Sequence, residues 1–173
     1  MTPGRLVLVV GPSGAGKDTV LDYARTRLAH DNRYVFPLRV ITRPPGPGEA
    51  HEPVSPADFA ARRYALSWEA HGLFYGIPAC IEADLAAGKT VIANVSRGVT
   101  AEAVRKYRCL VVEITAPREI LAARLAGRQR EDSAQIAARL SRATPRHNAD
   151  VTIMNDSTPA AAGEAFLAAI TGG

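Results

Sequence analysis

Gly11-Pro12-Ser13-Gly14-Ala15-Gly16-Lys17-Asp18 is the stretch from which the rest of the chain can be read. It follows a short apolar run, Leu6-Val7-Leu8-Val9-Val10, and precedes a helical pattern from Thr19 to Leu28. Strand, glycine-rich turn, lysine and helix in that order make a phosphate-binding loop of the form Gly-x-x-x-x-Gly-Lys. The glycines let the backbone close into a ring whose N–H groups point at phosphate oxygens, and the helix aims its positive end at the same anion. Residues Gly11, Pro12, Ser13, Gly14, Ala15 and Gly16 form the ring, and Lys17 reaches toward the β- and γ-phosphates of a nucleotide.

A Ser or Thr normally follows that lysine and its hydroxyl holds Mg²⁺. Here Asp18 takes the place, with Thr19 next. A carboxylate is a hard oxygen ligand suited to Mg²⁺, which makes Asp18 and Thr19 the metal-binding candidates. The plainer alternative is an acidic first-turn residue favoured by the helix dipole.

The 173 residues fit one α/β domain with room for a small insert. No apolar stretch approaches the roughly 18–20 residues that cross a bilayer, and the first five residues run straight into a strand, so neither a membrane span nor a leader is expected. Cys80 and Cys109 are isolated, which suits a reducing cytoplasm. The net charge of +4 is carried mainly by arginine, without interleaved aromatics, so an anionic small substrate is expected rather than nucleic acid.

Working outward, a second strand is expected within Tyr34–Ile41. The loop Thr42-Arg43-Pro44-Pro45-Gly46-Pro47-Gly48-Glu49 can be neither helix nor central strand. A loop after a parallel strand lies where ligands bind, so Arg43, Glu49 and His51 are candidates. Ser55-Pro56-Ala57-Asp58 has the form of a helix start, the helix running to about Arg63. Residues 65–70 and 73–77 predict a hairpin around His71-Gly72. A helix over Pro78–Ala87, closed by Gly88, leads to a strand over Thr90–Val95, with Ser96-Arg97-Gly98 at its ligand-facing end. A helix over 101–107, a strand over 110–114, a helix over 117–127, another over 133–144, a strand over 151–154 and a closing helix over 160–170 complete the pattern. Arg118, Arg124, Arg128, Arg130, Arg139, Arg142 and Arg146 crowd one helical hairpin. Guanidinium forks clamp phosphoryl oxygens and neutralise charge during transfer.

These landmarks, with Trp68, Tyr75-Gly76-Ile77-Pro78, Gly88-Lys89 and Asn155-Asp156, resemble in order the guanylate kinase group of P-loop nucleoside-monophosphate kinases. The resemblance implies a three-layer α/β fold with a parallel five-stranded sheet in a core of about 1–41 and 88–173. It also implies an acceptor-binding insert of about 42–87 and an arginine lid of about 117–146. In that group the Thr-Arg-x-Pro loop and the Tyr-Gly pair hold the acceptor phosphate. Three departures bear on substrate: Gly46 replaces a second phosphate-binding arginine, Ser67 an acid that reads guanine, and Ser96 a second such acid, with Arg97 next.

Gly16-Lys17-Asp18, Ile41-Thr42-Arg43, Leu66-Ser67-Trp68, His71-Gly72-Leu73 and Asn94-Val95-Ser96-Arg97 together resemble one subgroup, the ribose 1,5-bisphosphate phosphokinases of bacterial phosphonate utilisation. That resemblance implies ATP as phosphoryl donor with Mg²⁺, a sugar bisphosphate as acceptor, and a monomer or homodimer. Arg43, Glu49, His71, Tyr75, Ser96 and Arg97 then hold the acceptor, while Lys17, Arg128, Arg130, Arg139 and Arg142 act on the phosphoryl group. Two alternatives are a GMP or other nucleoside-monophosphate kinase and a non-catalytic guanylate-kinase-like binding module. Retention of Gly16 and Lys17 speaks against the second.

Overall fold

The computed structural model describes residues 3–12, 14–44, 51–127 and 149–172. In chain order the elements are β1 (Arg5–Val10), α1 (Lys17–Arg27), β2 (Tyr34–Val35), β3 (Val40–Ile41), β4 (Glu52–Pro53), α2 (Pro56–Ala61), β5 (Tyr64–Ala70), β6 (Leu73–Pro78) and α3 (Ile81–Ala86). They continue with β7 (Thr90–Asn94), a 3₁₀ turn (Arg97–Val99), α4 (Thr100–Lys106), β8 (Cys109–Thr115), α5 (Arg118–Gly127), β9 (Val151–Met154) and α6 (Pro159–Thr171). Among the described residues, a parallel sheet of five strands has the order β2-β7-β1-β8-β9, and a mixed sheet of four has the order β4-β3-β6-β5. The α/β class and the five-stranded sheet agree with the sequence reading. No helix among the described residues is long and apolar enough to cross a membrane.

The chain divides into two compact units, one of residues 1–7 with 31–109 and one of 8–30 with 110–173. In the second, Leu8, Val9 and Val10 are fully buried, as a strand covered on both faces must be. Helix α6 starts cleanly: the Thr158 hydroxyl accepts from the Ala161 N–H and Pro159 follows at the first helical position. It lies against α1 so closely that a Cβ on Gly163 would stand 2.3 Å from the Tyr23 ring. Phe166, wholly buried, is the largest fully buried side chain among the described residues.

In the first unit, the Ser55 hydroxyl caps α2 by accepting from the Asp58 N–H at 3.1 Å. Phe59 from this helix stacks on Tyr64 at 4.3 Å and on Phe74 at 5.6 Å. The Tyr107 hydroxyl donates to Glu82 at 2.9 Å, and burial, with that carboxylate beside it, pushes Tyr107 up to about 12.

Two expectations need correction, and one strand is additional to them. Tyr34–Ile41 is not one strand. Tyr34 and Val35 pair with β7, whereas Val40 and Ile41 pair with β6 and β4 in the other sheet. Pro37, which has no N–H to give a ladder, stands between them. The strand β4 was not anticipated because it is two residues long and includes Pro53, tolerable only at the sheet edge it occupies. The helix expected from Pro78 starts at Ile81, because β6 stays paired with Tyr64 through Pro78.

Phe166→Ala leaves a cavity in the core beneath α6 and should cost about 3–5 kcal/mol. Chemical denaturation against the wild type checks this.

Candidate active site

The phosphate loop lies wholly in the unit of residues 8–30 and 110–173. Gly11 has φ +148°, and a Cβ there would meet the Ile114 carbonyl oxygen at 2.0 Å, so β8 leaves no room for a side chain. Gly16 sits in the left-handed region at φ +89° and opens α1, its carbonyl accepting the Val20 N–H at 3.0 Å. Lys17 folds back across the loop and its Nζ donates to the Gly11 carbonyl at 2.5 Å. The first-turn N–H groups of α1 have no carbonyl within the helix to bond. Pro12, Gly14 and Ala15 are buried, and Ser13 lies outside the described residues.

Asp18 and Thr19 are exposed on the first turn of α1. A carboxylate and a hydroxyl side by side are hard oxygen donors. Their exposure suits a cation that keeps much of its water and takes its other ligands from phosphates. The residues present therefore fit both a nucleotide phosphate chain and Mg²⁺.

Two side chains that the sequence reading assigned no role of this kind hold the loop from outside it. Arg124 on α5 donates from Nη1 to the Gly14 carbonyl and from Nη2 to the Asn155 carbonyl, each at 2.9 Å. Asn155, only 5% exposed, donates from Nδ2 to the Ala15 carbonyl at 2.8 Å, and its own N–H donates to Thr115 at 2.7 Å. The signal in the sequence was the Asn155-Asp156 pair after the last strand, a landmark without an assigned function. Arg124 had been counted among the arginine-rich hairpin. Of that hairpin, Arg128, Arg130, Arg139 and Arg142 lie outside the described residues, as does the helix expected over 133–144.

The acceptor-site candidates belong to the other unit. Thr42 continues β3 by donating its N–H to the Phe74 carbonyl at 3.2 Å and accepting the Phe74 N–H on its hydroxyl at 3.0 Å. Arg43 follows, half-buried, with Nη1 donating to Pro44 at 3.1 Å. His51 is buried, and its Nε2 lies 2.7 Å from the Arg43 carbonyl, so it staples the ends of the proline-rich loop. Glu49 lies outside the described residues.

Tyr75 pairs across the hairpin with Trp68, their rings 5.5 Å apart and within 3° of parallel. Arg39, not singled out by the sequence reading, places its guanidinium 5.8 Å from the centre of the Tyr75 ring. Strand alternation puts Ser67 on the opposite face from Trp68 and Tyr75, opposite Gly76, whose bare α-carbon is covered by the Tyr64 ring. Burial raises the Tyr64 pKa, and its hydroxyl has no hydrogen-bond partner among the described residues.

His71 is exposed at the hairpin tip with φ +55°, and Gly72 follows at φ +76°, the two positive values a tight two-residue hairpin turn requires. Ser96 caps the 3₁₀ turn, its hydroxyl accepting the Gly98 N–H at 3.3 Å, and the Arg97 carbonyl accepts from the Thr100 hydroxyl at 2.8 Å. Arg39, Trp68 and Tyr75 thus come together on the hairpin and beside β3, and Arg43 follows two residues after that strand. His71 sits at the turn, and Ser96 and Arg97 at the end of β7.

Comparison with known proteins supplies the family. No family model matches the chain. A ribose 1,5-bisphosphate phosphokinase PhnN of Acidiphilium cryptum is 62% identical over 164 residues, covering 95% of this chain and 91% of that protein. One of Methylobacterium radiotolerans is 52% identical over 158 residues, covering 88% and 89%. Among solved structures, a guanylate kinase from Anaplasma phagocytophilum superposes with a TM-score of 0.67 over 99% of this chain and 87% of its own, at 18% identity, which speaks to the fold alone. With identity of this extent over nearly its whole length, the chain belongs to the ribose 1,5-bisphosphate phosphokinase PhnN family, on a guanylate-kinase-like P-loop fold.

Proposed function

We propose that this chain transfers the γ-phosphoryl group of ATP to the 1-phosphate of ribose 1,5-bisphosphate, giving 5-phosphoribosyl 1-diphosphate and ADP. The observation that carries the reading is the 62% identity over 95% of the chain to a relative bearing that activity in its name. The phosphate loop with its lysine supports a phosphoryl donor of the ATP type.

The chemistry asks little covalent work of the protein. The acceptor oxygen belongs to a phosphate that is anionic near neutral pH, so it attacks the γ-phosphorus without a general base, and the bond to the ADP oxygen breaks. The barrier is then lowered by positioning and by neutralising charge. We assign the ring from Gly11 to Gly16 and Lys17 to the ATP phosphates. When bound, Mg²⁺ supplies charge neutralisation across those phosphates, with Asp18 and Thr19 carrying the oxygens that hold it.

Acceptor binding is assigned to the insert of about 42–87. Arg43 and Tyr75 take the acceptor phosphate, and Glu49 orients an arginine rather than touching phosphate. His71, Ser96 and Arg97 add hydrogen-bond donors for a substrate with a second phosphate and no base. Arg128, Arg130, Arg139 and Arg142, within the lid of about 117–146, are assigned to the transferring phosphoryl group. Closure over it excludes water and limits hydrolysis.

Purified protein with ATP and Mg²⁺ should turn over ribose 1,5-bisphosphate and leave GMP nearly untouched when the two are assayed side by side. Turnover of GMP alone would sink the assignment. Lys17→Ala should lower turnover by about 10²–10³-fold or more with an unchanged circular-dichroism spectrum and melting temperature, because it removes a cation aimed at the transferring charge. Near-normal turnover in that variant would place the donor phosphates elsewhere.

A further inference from the structure

Each peptide of a trans chain points its carbonyl and its N–H to opposite sides. No cis peptide occurs among the described residues. Fixing one carbonyl of the phosphate loop therefore aims the next amide. The Ala15 carbonyl is fixed by the Asn155 amide at 2.8 Å, which sends the Gly16 N–H the other way. The Gly14 carbonyl is fixed by Arg124 at 2.9 Å, and the Ala15 N–H of that peptide closes only a long 3.3 Å turn bond to the Pro12 carbonyl.

The two clamps are joined, since the second Arg124 nitrogen donates to the carbonyl of Asn155 itself. Asn155 is in turn anchored to β8 through Thr115. The fit is tight: a Cβ on Gly16 would stand 2.5 Å from Asn155 Nδ2, so the last glycine of the motif makes room for the clamp as well as for the turn.

We propose that Asn155 and Arg124 are positioning residues for the nucleotide, acting through the loop backbone to set its affinity for a triphosphate. Arg124 thereby stands apart from Arg128, Arg130, Arg139 and Arg142, the arginines assigned to the transferring phosphoryl group. Its guanidinium ties the helix that leads into the arginine-rich segment to the carbonyls of the loop.

The test reads ATP binding in the presence of Mg²⁺ and the absence of any acceptor, beside KM and kcat. Its outcome is therefore independent of which acceptor the protein uses. Asn155→Asp keeps the size of the side chain and loses the donor to Ala15. At about pH 8 the expected result is an ATP dissociation constant and KM raised about tenfold or more, with kcat changed by less than about threefold and the melting temperature close to wild type.

As pH falls toward about 5.5, the gap to wild type should narrow, because a buried carboxyl facing a carbonyl is protonated more readily and its O–H can donate where the amide did. A lost packing contact would show no such rescue. Arg124→Lys keeps the charge but cannot fork to both carbonyls, and should weaken ATP about fivefold to tenfold. ATP affinity within about twofold of wild type in both variants would overturn the proposal. So would a loss that tracks the melting temperature and does not respond to pH.

Discussion

A loop that turns its amides toward an anion has to send its carbonyls somewhere else, and a buried carbonyl without a partner costs free energy. That requirement organises the unit that carries the phosphate loop. Gly11 gives its carbonyl to the Lys17 ammonium, Pro12 to the Ala15 N–H, Gly14 to Arg124 and Ala15 to Asn155. The elements around the loop are therefore its hydrogen-bonding partners as well as its packing. Strand β8 presses on Gly11 through the Ile114 carbonyl, and the segments after β9 and on α5 supply the two side-chain donors. The lysine is part of the same accounting. Its short bond to Gly11 holds the ammonium over the loop, and an ammonium, with three donors, can keep that carbonyl while it meets a phosphate oxygen. A charge-assisted bond of this kind contributes about 1.5–3 kcal/mol.

The hairpin of the other unit is organised by alternation. One face carries Trp68 and Tyr75, locked nearly parallel, with the Arg39 guanidinium near the Tyr75 ring. The other carries Gly76 beneath the Tyr64 ring, itself stacked on Phe59 from α2. Gly76 is a glycine for want of space, since a Cβ would lie 2.4 Å from that ring. Aromatic pairs of this geometry contribute about 0.5–1.5 kcal/mol beyond the area they bury, enough to fix which face each strand position takes. Tyr75 is thus held in place by Trp68, and Arg43 by the His51 staple beneath its carbonyl. On the proposed assignment, the acceptor phosphate meets a Tyr75 ring already fixed by its stacking partner and an Arg43 backbone already fixed by its histidine.

The parts legible in the sequence were those governed by local rules. A glycine-rich turn between an apolar run and a helix, Ser55-Pro56 as a helix start and His71-Gly72 as a hairpin tip are each decided by a few consecutive residues. The structure places them as read. What the sequence concealed was long-range. The division of 34–41 between two sheets depends on partners about fifty-five residues away in one case and about thirty-five in the other, through β7 and β6. The face on which Ser67 falls depends on its register with Gly76. The clamp joins positions separated by 110 residues in one bond and 140 in another. An asparagine after a strand looks like a turn former, and an arginine among seven looks like one more cation. Only the fold tells which carbonyl each one reaches.

The charge pattern follows the same logic as the backbone. A reaction between two phosphates concentrates negative charge, and an acceptor oxygen that is already anionic gives a general base nothing to remove. Carboxylates near such a site are a liability unless a cation or a helix terminus offsets them. Asp18 meets that condition twice over: it stands exposed in the first turn of α1, where the positive end of the helix favours it, and its oxygens are of the type Mg²⁺ prefers. Ser or Thr at this position contributes a neutral oxygen, whereas Asp contributes a charge that repels the phosphates until a metal stands between them. On the proposed assignment, the substitution couples nucleotide affinity to the metal more tightly than a hydroxyl would. The arginine-rich balance of the rest of the chain then supplies the compensating positive charge.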